Sequence, residues 1–372
     1  MFSNKTNTIS CGAYHSVALL SNGTVQCWGN NEYNQCDPVH LTFINVIQVA
    51  CGAGHSVVLL TNRTIRCWGD NTFNQCDPMH LTFTDVIQVA CGANHSVALF
   101  SNGTVRCWGN NRRVRCNPVL LTFTNVIQVA CGDHHSVVLF SNGTVRCWGL
   151  NYENQCDPVH LTFTDVVQVA CGSCHSVVLF NNGTVRCWGD NHWNQCNPVH
   201  LTITDVIQVA CRFDHSFVLL SDGTIQGWND NPGHYTITDV IQIDCGRHHS
   251  VVLFSNGTIQ CWGDNSTNQC DAVHRTYTNV IQVKCGSMHS VALLSNGTIQ
   301  CWGDNEFNQC DPLHKTLSNV IHIATNKYHS VALFSNSTIR CWGADNKNQC
   351  DHVHLAINNI MLPCDENACM LW

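Results

Sequence analysis

The sequence has few charged residues. Only 11% of its 372 residues are Asp, Glu, Lys or Arg, and the formal net charge is −8. A chain without an excess of basic residues has no positive field to attract nucleic acid or anionic lipid. We therefore expect no nucleic-acid partner.

Long apolar segments are also missing. The first ten residues, MFSNKTNTIS, contain no apolar core of a signal peptide. No apolar run elsewhere approaches the roughly 18 residues that a transmembrane helix needs. We expect a soluble, intracellular chain that does not insert into membranes.

The sequence is dominated instead by a repeat of about forty residues that occurs nine times. A unit of this length cannot bury a core alone, so each copy must pack against its neighbours. No linker or charge block separates the copies, and we expect residues 1–372 to form one domain that residues 355–372 close. The copies begin at Cys11, Cys51, Cys91, Cys131, Cys171, Cys211, Cys245, Cys285 and Thr325.

Each copy predicts a short β-hairpin. In the third copy the run HSVALF leads into Asn102 and Gly103, and the run TVRCWG follows. β-branched runs on both sides of Asn-Gly are typical of a hairpin with a two-residue type I′ turn. The preceding run VIQVACG and the segment Leu81–Thr84 offer further strands. Three or four strands per repeat predict the blade of a β-propeller.

The pattern CG-x-x-HSVALL-SNGTV-x-CWG-x-N-x-x-NQC closely resembles the repeat of the regulator of chromosome condensation family, over nearly the whole chain. The resemblance implies an all-β fold, a β-propeller that usually has seven blades. Nine copies imply a larger ring or an incomplete blade, and the shortened sixth copy is the candidate for the latter. Asn replaces a family Gly that precedes Gln, and Asn tolerates the same left-handed backbone. These residues are Asn34, Asn74, Asn154, Asn194, Asn268, Asn308 and Asn348.

The chain has 27 cysteines, which is many for a reducing compartment. The sixth copy lacks both the CWG and the NQC cysteine but keeps Cys211, whereas the ninth lacks only the first cysteine. The second and third cysteines thus behave as a unit, which favours a disulfide bond within each repeat. Reduced cysteines packed as small apolar side chains are the alternative. The hypothesis pairs Cys27 with Cys36, Cys67 with Cys76, Cys107 with Cys116, Cys147 with Cys156, Cys187 with Cys196, Cys261 with Cys270, Cys301 with Cys310, and Cys341 with Cys350.

No motif predicts a catalytic centre. The repeated Cys-x3-His, as in Cys11 and His15, lacks the paired cysteine spacing of a zinc site. We interpret this histidine as a hydrogen-bonded structural residue and expect neither a metal nor a cofactor. Each recurrent Ser and His is copied as scaffold, and a phosphate-binding loop is missing. We do not expect an enzyme.

Function is expected where the copies differ. Two pairs of positions vary, the x-x of CG-x-x-HS and the x-x of N-x-x-NQ. A propeller places equivalent loops on one face, so each set should form a ring. Aromatic and arginine residues, which dominate interface hot spots, are concentrated in the second set. Drift at exposed loop tips is the alternative. The candidate binding residues are Tyr33, Phe73, Arg112, Arg113, Tyr152, Trp193 and Phe307.

The main hypothesis is a non-enzymatic propeller scaffold that binds protein partners through these loops. Nucleotide exchange on a small GTPase is the activity of the family's founding member, but the inserted wedge that this activity needs has no counterpart here. A structural or surface component of a viral particle is a further alternative. The Asn-rich and Cys-rich composition without an export signal resembles repeat proteins of giant DNA viruses, which assemble in the host cytoplasm.

Overall fold

The computed structural model of the chain consists of antiparallel β-sheets, one for each repeat. It describes residues 9–12, 15–19, 23–29, 32–36, 43–76, 83–112, 116, 123–156, 163–196, 203–212, 214–228, 235–270, 277–310, 317–325, 328–336 and 339–343. We number the sheets one to nine in chain order. Within these residues, no helix has the length and apolar character needed to cross a membrane.

Each sheet has a first, a middle and a third strand that pair in chain order. The first strands are Ile9–Cys11, Val46–Cys51, Val86–Cys91, Val126–Cys131, Val166–Cys171, Val206–Arg212, Val240–Cys245, Val280–Cys285 and Val320–Thr325. The middle strands are His15–Leu19, His55–Leu60, His95–Phe100, His135–Phe140, His175–Phe180, His215–Leu220, His249–Phe254, His289–Leu294 and His329–Phe334. The third strands are Val25–Gly29, Ile65–Gly69, Val105–Gly109, Val145–Gly149, Val185–Gly189, Ile225–Trp228, Ile259–Gly263, Ile299–Gly303 and Ile339–Gly343.

Sheet six has a fourth strand, Tyr235–Ile237, which pairs with its third strand. The expectation that the shortened sixth copy forms an incomplete blade is therefore wrong. The shortening falls before Tyr235, and residues 229–234 lie outside the described part. In the second copy, Phe83 and Thr84 form no strand, and Leu81 and Thr82 lie outside the described residues.

The hairpin turn differs from the predicted type I′ turn. Gly103 has a φ of 77°, whereas Asn102 stays out of the left-handed region. The Gly103 N–H donates to the Phe100 carbonyl, and the Phe100 N–H donates to the Thr104 carbonyl. This is a three-residue loop in which a type I turn precedes a left-handed glycine. Asn102 Oδ1 accepts hydrogen bonds from the N–H and hydroxyl of Thr104, which holds Asn102 in this loop.

The core lies between neighbouring sheets. Val97 and Leu99 of the middle strand of sheet three pack with Val126, Val129 and Trp148 of sheet four. The same arrangement recurs in the other clusters, each of which takes side chains from two sheets. Middle strands are therefore buried on both faces, and no sheet has a core of its own.

The same hydrogen bonds recur between many neighbouring sheets. Gln88 in the first strand of sheet three donates to the Val129 carbonyl and accepts from the Val129 N–H, each at 3.1 Å. Trp108 Nε1 donates to the Gln75 carbonyl of the preceding repeat at 2.8 Å. The first strands of sheets one to six contact one another in sequence, and so do those of sheets seven to nine, which makes first strands the innermost strands of the propeller.

One electrostatic interaction links the first described sheet to the last. The pKa of the buried His15 imidazole in sheet one is lowered to about 3, by burial and then by the imidazoles of His55 in sheet two and His329 in sheet nine. His329 is thus close enough to influence the first sheet. Residues 355–372, the expected closing segment, lie outside the described residues, and their role stays a prediction.

Candidate functional site: the loop face

The two variable loops of each repeat lie at the same end of its sheet. CG-x-x-HS joins the first strand to the middle strand, and N-x-x-NQ follows the third strand. Because neighbouring strands are antiparallel, both loops emerge at one end. A hydrogen bond ties them together: the Asp190 N–H donates to the Cys174 carbonyl at 2.9 Å. We call this end the loop face. The Asn-Gly turns lie at the opposite end.

Buried amide side chains fix the N-x-x-NQ loops. Gln195 is fully buried, and its Oε1 accepts a hydrogen bond from the Trp193 N–H at 2.8 Å. Asn191 Oδ1 accepts from the Cys196 N–H at 2.8 Å. Tyr33, Phe73, Glu153, Thr267 and Phe307 donate their N–H to the glutamine of their own loop in the same way. The variable side chains therefore project from a rigid backbone.

The predicted left-handed Asn positions are confirmed where they are described. Asn34, Asn74, Asn154, Asn194, Asn268 and Asn308 have φ between 56° and 63°. Asn348 lies outside the described residues. Asn in place of Gly thus preserves the turn, as its tolerance of this conformation implies.

The candidate binding residues fall into two groups. Tyr33, Tyr152 and Trp193 are exposed by 47%, 68% and 46%. Arg112 is also exposed, and its guanidinium lies over the Phe73 ring, 5.6 Å from the centroid. Phe73 and Phe307 are partly buried. The Phe307 ring contacts the Tyr328 ring of the next repeat, with ring centroids 5.4 Å apart. Arg113 lies outside the described residues.

Contacts across repeats bring the two variable sets together. The Phe307–Tyr328 contact joins an N-x-x-NQ loop to a CG-x-x-HS loop. The contact between Trp193 and His248, with ring centroids 5.7 Å apart, does the same between repeats five and seven. The sequence predicted a separate ring for each set. Instead, the structure combines members of both sets in one surface.

A group of carboxylates on the loop face was missed by sequence reasoning. Asp133, Glu153, Asp190 and Asp214 come from repeats four to six, and all are partly buried. Burial and then the charges of these four raise the pKa of the Cys174 thiol to about 11. The pKa of Asp214 is raised to about 6 by burial and then by Asp190, an effect that Arg247 opposes. The signal was present as acids at variable positions, but only the packing of repeats shows that they face one another.

His192 lies at the outer edge of this group. Its Nδ1 is 2.6 Å from Asp190 Oδ1 and 3.9 Å from Glu153 Oε2. The hydrogen bond to Asp190 and then the two negative charges raise the pKa of His192. Ligating atoms of Glu153, Asp190 and His192 lie within 4.8 Å of one another, the only such trio among the described residues. These are ligand types that Zn²⁺ accepts.

The family model of the regulator of chromosome condensation (RCC1) repeat matches eight of the nine copies. The matched residues are 7–35, 46–75, 86–113, 126–155, 166–195, 240–269, 280–309 and 320–349. They make up well over half of the chain. The chain belongs to the RCC1 repeat family. The unmatched copy is the sixth, which is shorter than the others.

Solved structures that resemble this RCC1-repeat chain include human WBSCR16, with 21% identity, a TM-score of 0.48, and coverage of 79% of this chain and 88% of the other. Prp20p from Saccharomyces cerevisiae, described together with its binding to Gsp1p and histones, has 21% identity, a TM-score of 0.45, and coverage of 77% and 82%. Yeast RCC1 (Prp20) bound to Kap60 has 19% identity, a TM-score of 0.47, and coverage of 88% and 92%. A comparison with curated protein sequences gave no match.

The recurrent histidine of these RCC1 repeats joins neighbouring sheets. His95 is buried, and its Nε2 forms a 2.9 Å hydrogen bond with Ser136 Oγ in the next sheet. The interpretation of this histidine as a hydrogen-bonded structural residue is thus confirmed. The same bond occurs at His15, His55, His135, His175, His249 and His289. His215 differs because its Nε2 lies 3.2 Å from the Arg247 carbonyl, while its Nδ1 lies 3.4 Å from Ser250 Oγ.

The C-x8-C cysteines lie close together. A disulfide bond joins Cys187 to Cys196, whose Cα atoms are 5.1 Å apart. Other pairs include Cys27 with Cys36, whose sulfurs are 2.9 Å apart, and Cys67 with Cys76, whose sulfurs are 2.8 Å apart. The thiols of Cys107 and Cys116, and of Cys261 and Cys270, are also hydrogen-bonded. Cys147 lies near Cys156, and Cys301 shares a core cluster with Cys310. Cys350, the partner proposed for Cys341, lies outside the described residues.

Proposed function

We propose that this RCC1-repeat propeller binds protein partners through the loop face. The observation that carries the proposal is the set of exposed Tyr33, Tyr152, Trp193 and Arg112 side chains on loops that buried amides hold rigid. Aromatic and arginine side chains supply most binding energy at interfaces. A rigid backbone reduces the entropy that is lost when a partner binds.

The proposed role is non-catalytic. The buried His15, His55 and His135 have pKa values of about 3 to 4, because burial disfavours the imidazolium, so they stay neutral at physiological pH. Burial also raises the pKa of the Cys131 and Cys211 thiols to about 12, which suppresses their thiolates. These groups therefore lack the protonation behaviour of a general base or a nucleophile.

The test is a five-site variant in which Tyr33, Phe73, Tyr152, Trp193 and Phe307 are replaced by Ser. The full chain is used to capture proteins from cytoplasm, and the captured proteins are identified by mass spectrometry. We expect the variant to lose partners that the wild type holds, with an unchanged circular dichroism spectrum. Loss of two hot-spot anchors alone weakens binding by roughly a thousandfold.

A matched control uses exposed aliphatic residues on the first strands. Ile127, Val167, Ile207 and Ile281 are more than half exposed, near the opposite end of their sheets. Their replacement by Ser removes apolar surface without touching the loop face. Equal loss of partners in both variants, or full retention in the five-site variant, contradicts the proposal.

The two alternative functions stay predictions with tests of their own. Release of a fluorescent guanine nucleotide from a small GTPase, accelerated by the wild type, supports exchange activity. Recovery of the chain from purified viral particles supports the particle component. The expectation of no nucleic-acid partner rests on net charge alone and also stays a prediction.

A further inference from the structure

The loop face over repeats four to seven combines two exposed aromatic side chains with the four carboxylates. Tyr152 and Glu153 are adjacent in one loop, and His192 and Trp193 occupy the same loop of the next repeat. His192 contacts Asp190, and Trp193 reaches His248, which lies 3.9 Å from Asp214. We call this surface, made of Asp133, Tyr152, Glu153, Asp190, Trp193 and Asp214, the acidic-aromatic sector.

We propose that the acidic-aromatic sector binds a cationic segment of a protein partner, in which arginine or lysine side chains dock beside Tyr152 and Trp193. This inference rests on the proposed function and specifies the chemistry of the partner at one sector.

The negative charge of the sector determines that the partner segment is positively charged. The four carboxylates converge on Cys174, and they act together on its thiol. Nearby positive groups are fewer: Arg247 acts on Asp214, and His192 is hydrogen-bonded to Asp190. Partly buried carboxylates in mutual repulsion are relieved by an incoming cation. An anionic partner would add to the repulsion.

The aromatic side chains favour guanidinium or ammonium groups over a simple ion. Trp and Tyr faces attract cations within about 6 Å of the ring centroid, and Trp attracts them most strongly. The same pairing occurs within this chain, where the Arg112 guanidinium lies over Phe73. A flexible basic segment is able to contact both the rings and the carboxylates, whereas a small inorganic cation contacts only the latter.

A positive charge lies beside this sector. Arg112 in repeat three places positive charge on the same face, one repeat before Asp133 and Glu153. Neighbouring regions of opposite sign orient a partner and exclude one of reversed polarity. We therefore expect the cationic segment of the partner to lie over repeats four to seven. An acidic part of the partner should then lie toward repeat three, where it faces Arg112.

The chain itself supplies neutral substitutes for the test. Asn110 occupies the position of Asp190, and its Oδ1 accepts the same backbone hydrogen bond, from Arg112. Asn94 occupies the position of Asp214, Ala93 that of Asp133, and Thr267 that of Glu153. The test variant is Asp133→Ala, Glu153→Thr, Asp190→Asn and Asp214→Asn, so every new residue is one that the same loop already tolerates.

A second variant removes four carboxylates at the opposite end. Asp85, Asp165, Asp205 and Asp239 are exposed and have φ between 61° and 63°. Asn occupies the same position and conformation at Asn45, Asn125, Asn279 and Asn319. Replacing the four Asp by Asn therefore changes the net charge equally and leaves the sector intact.

The probe is a labelled peptide of about nine residues in which Arg alternates with Ser, and its binding to the full chain is followed by fluorescence anisotropy with EDTA present. We expect the sector variant to bind about tenfold or more weakly than the wild type, and the opposite-end variant to bind as the wild type does. Binding should also weaken as salt rises from about 50 to 300 mM, and Tyr152→Ser with Trp193→Ser should reduce it at constant charge.

The outcomes separate the two proposals. Equal binding by both charge variants, undetectable binding to the wild type, or equal binding of a peptide with Glu in place of Arg overturns this inference. Partners that the five-site variant loses but the sector variant retains leave the loop face as a binding surface and reject only its cationic ligand. Retention of all partners by the five-site variant rejects the proposed function itself.

Discussion

At the residue scale, the hairpin turns depend on one left-handed residue each. Gly103, Gly143 and Gly183 have φ of 77° or 78°, and in the second repeat Arg63 takes this position with a φ of 63°. Its backbone bonds are those of the glycines: the Arg63 N–H donates to the Leu60 carbonyl, and its carbonyl accepts from the Val86 N–H. Arg63 therefore bears a conformational cost that the glycines avoid.

We expect Arg63→Gly to raise the free energy of unfolding by about 1 kcal/mol, since a side chain in the left-handed region costs 1 to 2 kcal/mol and glycine adds some entropy to the unfolded chain. Urea unfolding measures the change. The reverse substitution, Gly143→Arg, should lower stability, because a Cβ there would lie 2.6 Å from the Asp165 nitrogen. Unchanged stability in Arg63→Gly contradicts the argument.

A second residue-scale feature explains the missing cysteine of repeat six. Phe217 pairs across the strands with Gly227, whereas Val97 pairs with Cys107 at the same place in repeat three. A Cβ on Gly227 would lie 2.6 Å from Phe217 Cε1. The larger ring thus occupies space that the cysteine side chain needs. The absence of a cysteine at position 227 therefore has a steric explanation in addition to the one that the disulfide hypothesis gives.

This pairing predicts that the changes in unfolding free energy caused by substitutions at Phe217 and Gly227 are not additive. Gly227→Cys alone should cost about 1 to 3 kcal/mol because it crowds the Phe217 ring, and Phe217→Val alone should cost stability because it leaves a void. The double variant restores the Val and Cys pair of the other repeats and should be more stable than the sum of the two changes implies. Urea unfolding of all four proteins measures the coupling. Strict additivity is the contrary result.

Local chemistry explains which turn predictions succeed. The left-handed Asn positions were predictable because the conformation depends on a single residue. The hairpin type was not, because Asn-Gly fits two kinds of loop. Hydrogen bonds from Thr104 to Asn102 decide between them, and Thr104 lies beyond the dipeptide that the prediction used.

At the scale of the sheet, the paired cysteines connect the third strand to the N-x-x-NQ loop. Cys187 and Cys196 make this connection by a disulfide bond, and the sulfurs of Cys27 and Cys36 lie close together. A bond here closes a loop of about ten residues at the base of the variable side chains. The cysteines therefore bear on the rigidity of the loop face.

We expect non-reducing peptide mapping of freshly isolated protein to recover the C-x8-C pairs, beginning with Cys27–Cys36 and Cys67–Cys76. Each closed loop should contribute about 2 to 3 kcal/mol, which reduction removes. Sheet six serves as an internal control, because it has no such pair. Cys27 linked to Cys11, or all cysteines recovered as free thiols, contradicts the pairing.

The blade itself was predictable from periodicity, whereas the assembled surface was not. Alternating apolar runs and turn residues are local signals, and they predicted the three strands. The meeting of Trp193 with His248, or of Glu153 with His192, depends on how repeats pack side by side. No spacing within one repeat contains that information, so the acidic-aromatic sector required the structure.

At the scale of the whole molecule, buried histidines make stability dependent on pH. Eight have pKa values of about 3 or 4, with burial as the first cause: His15, His55, His135, His175, His249, His289, His322 and His329. An unfolded histidine has a pKa of about 6.5. Between pH 6.5 and 4 the unfolded chain therefore binds more protons, and stability is lost as pH falls through this range.

We expect cooperative acid unfolding near pH 5. Each histidine contributes up to about 1.4 kcal/mol per pH unit, and Asp214, whose pKa is raised to about 6, opposes one of them. The net slope is roughly 10 kcal/mol per unit, against a typical stability of 5 to 15 kcal/mol. Circular dichroism between pH 7.5 and 4 locates the transition.

Proton uptake on unfolding gives an independent check. Near pH 5 about seven protons should be bound, and His135→Gln should reduce the number by one whatever its effect on stability. A protein that stays folded to pH 4, or an uptake of one or two protons, contradicts the link between the buried histidines and stability.

The repeated His–Ser bond makes most blades interchangeable. His95 forms a hydrogen bond with Ser136, and His135 forms the same bond with Ser176. Each of these blades therefore offers the same contact to the next one. If recombination removed or duplicated one forty-residue unit, the repeats that became neighbours would still form this bond. The number of blades is therefore able to change during evolution. Sheet six differs, because His215 Nε2 lies 3.2 Å from the Arg247 carbonyl and its Nδ1 lies 3.4 Å from Ser250 Oγ. This joint distinguishes sheet six from the sheets around it, and it gives an array of otherwise similar blades a recognisable point beside Asp214 of the acidic-aromatic sector.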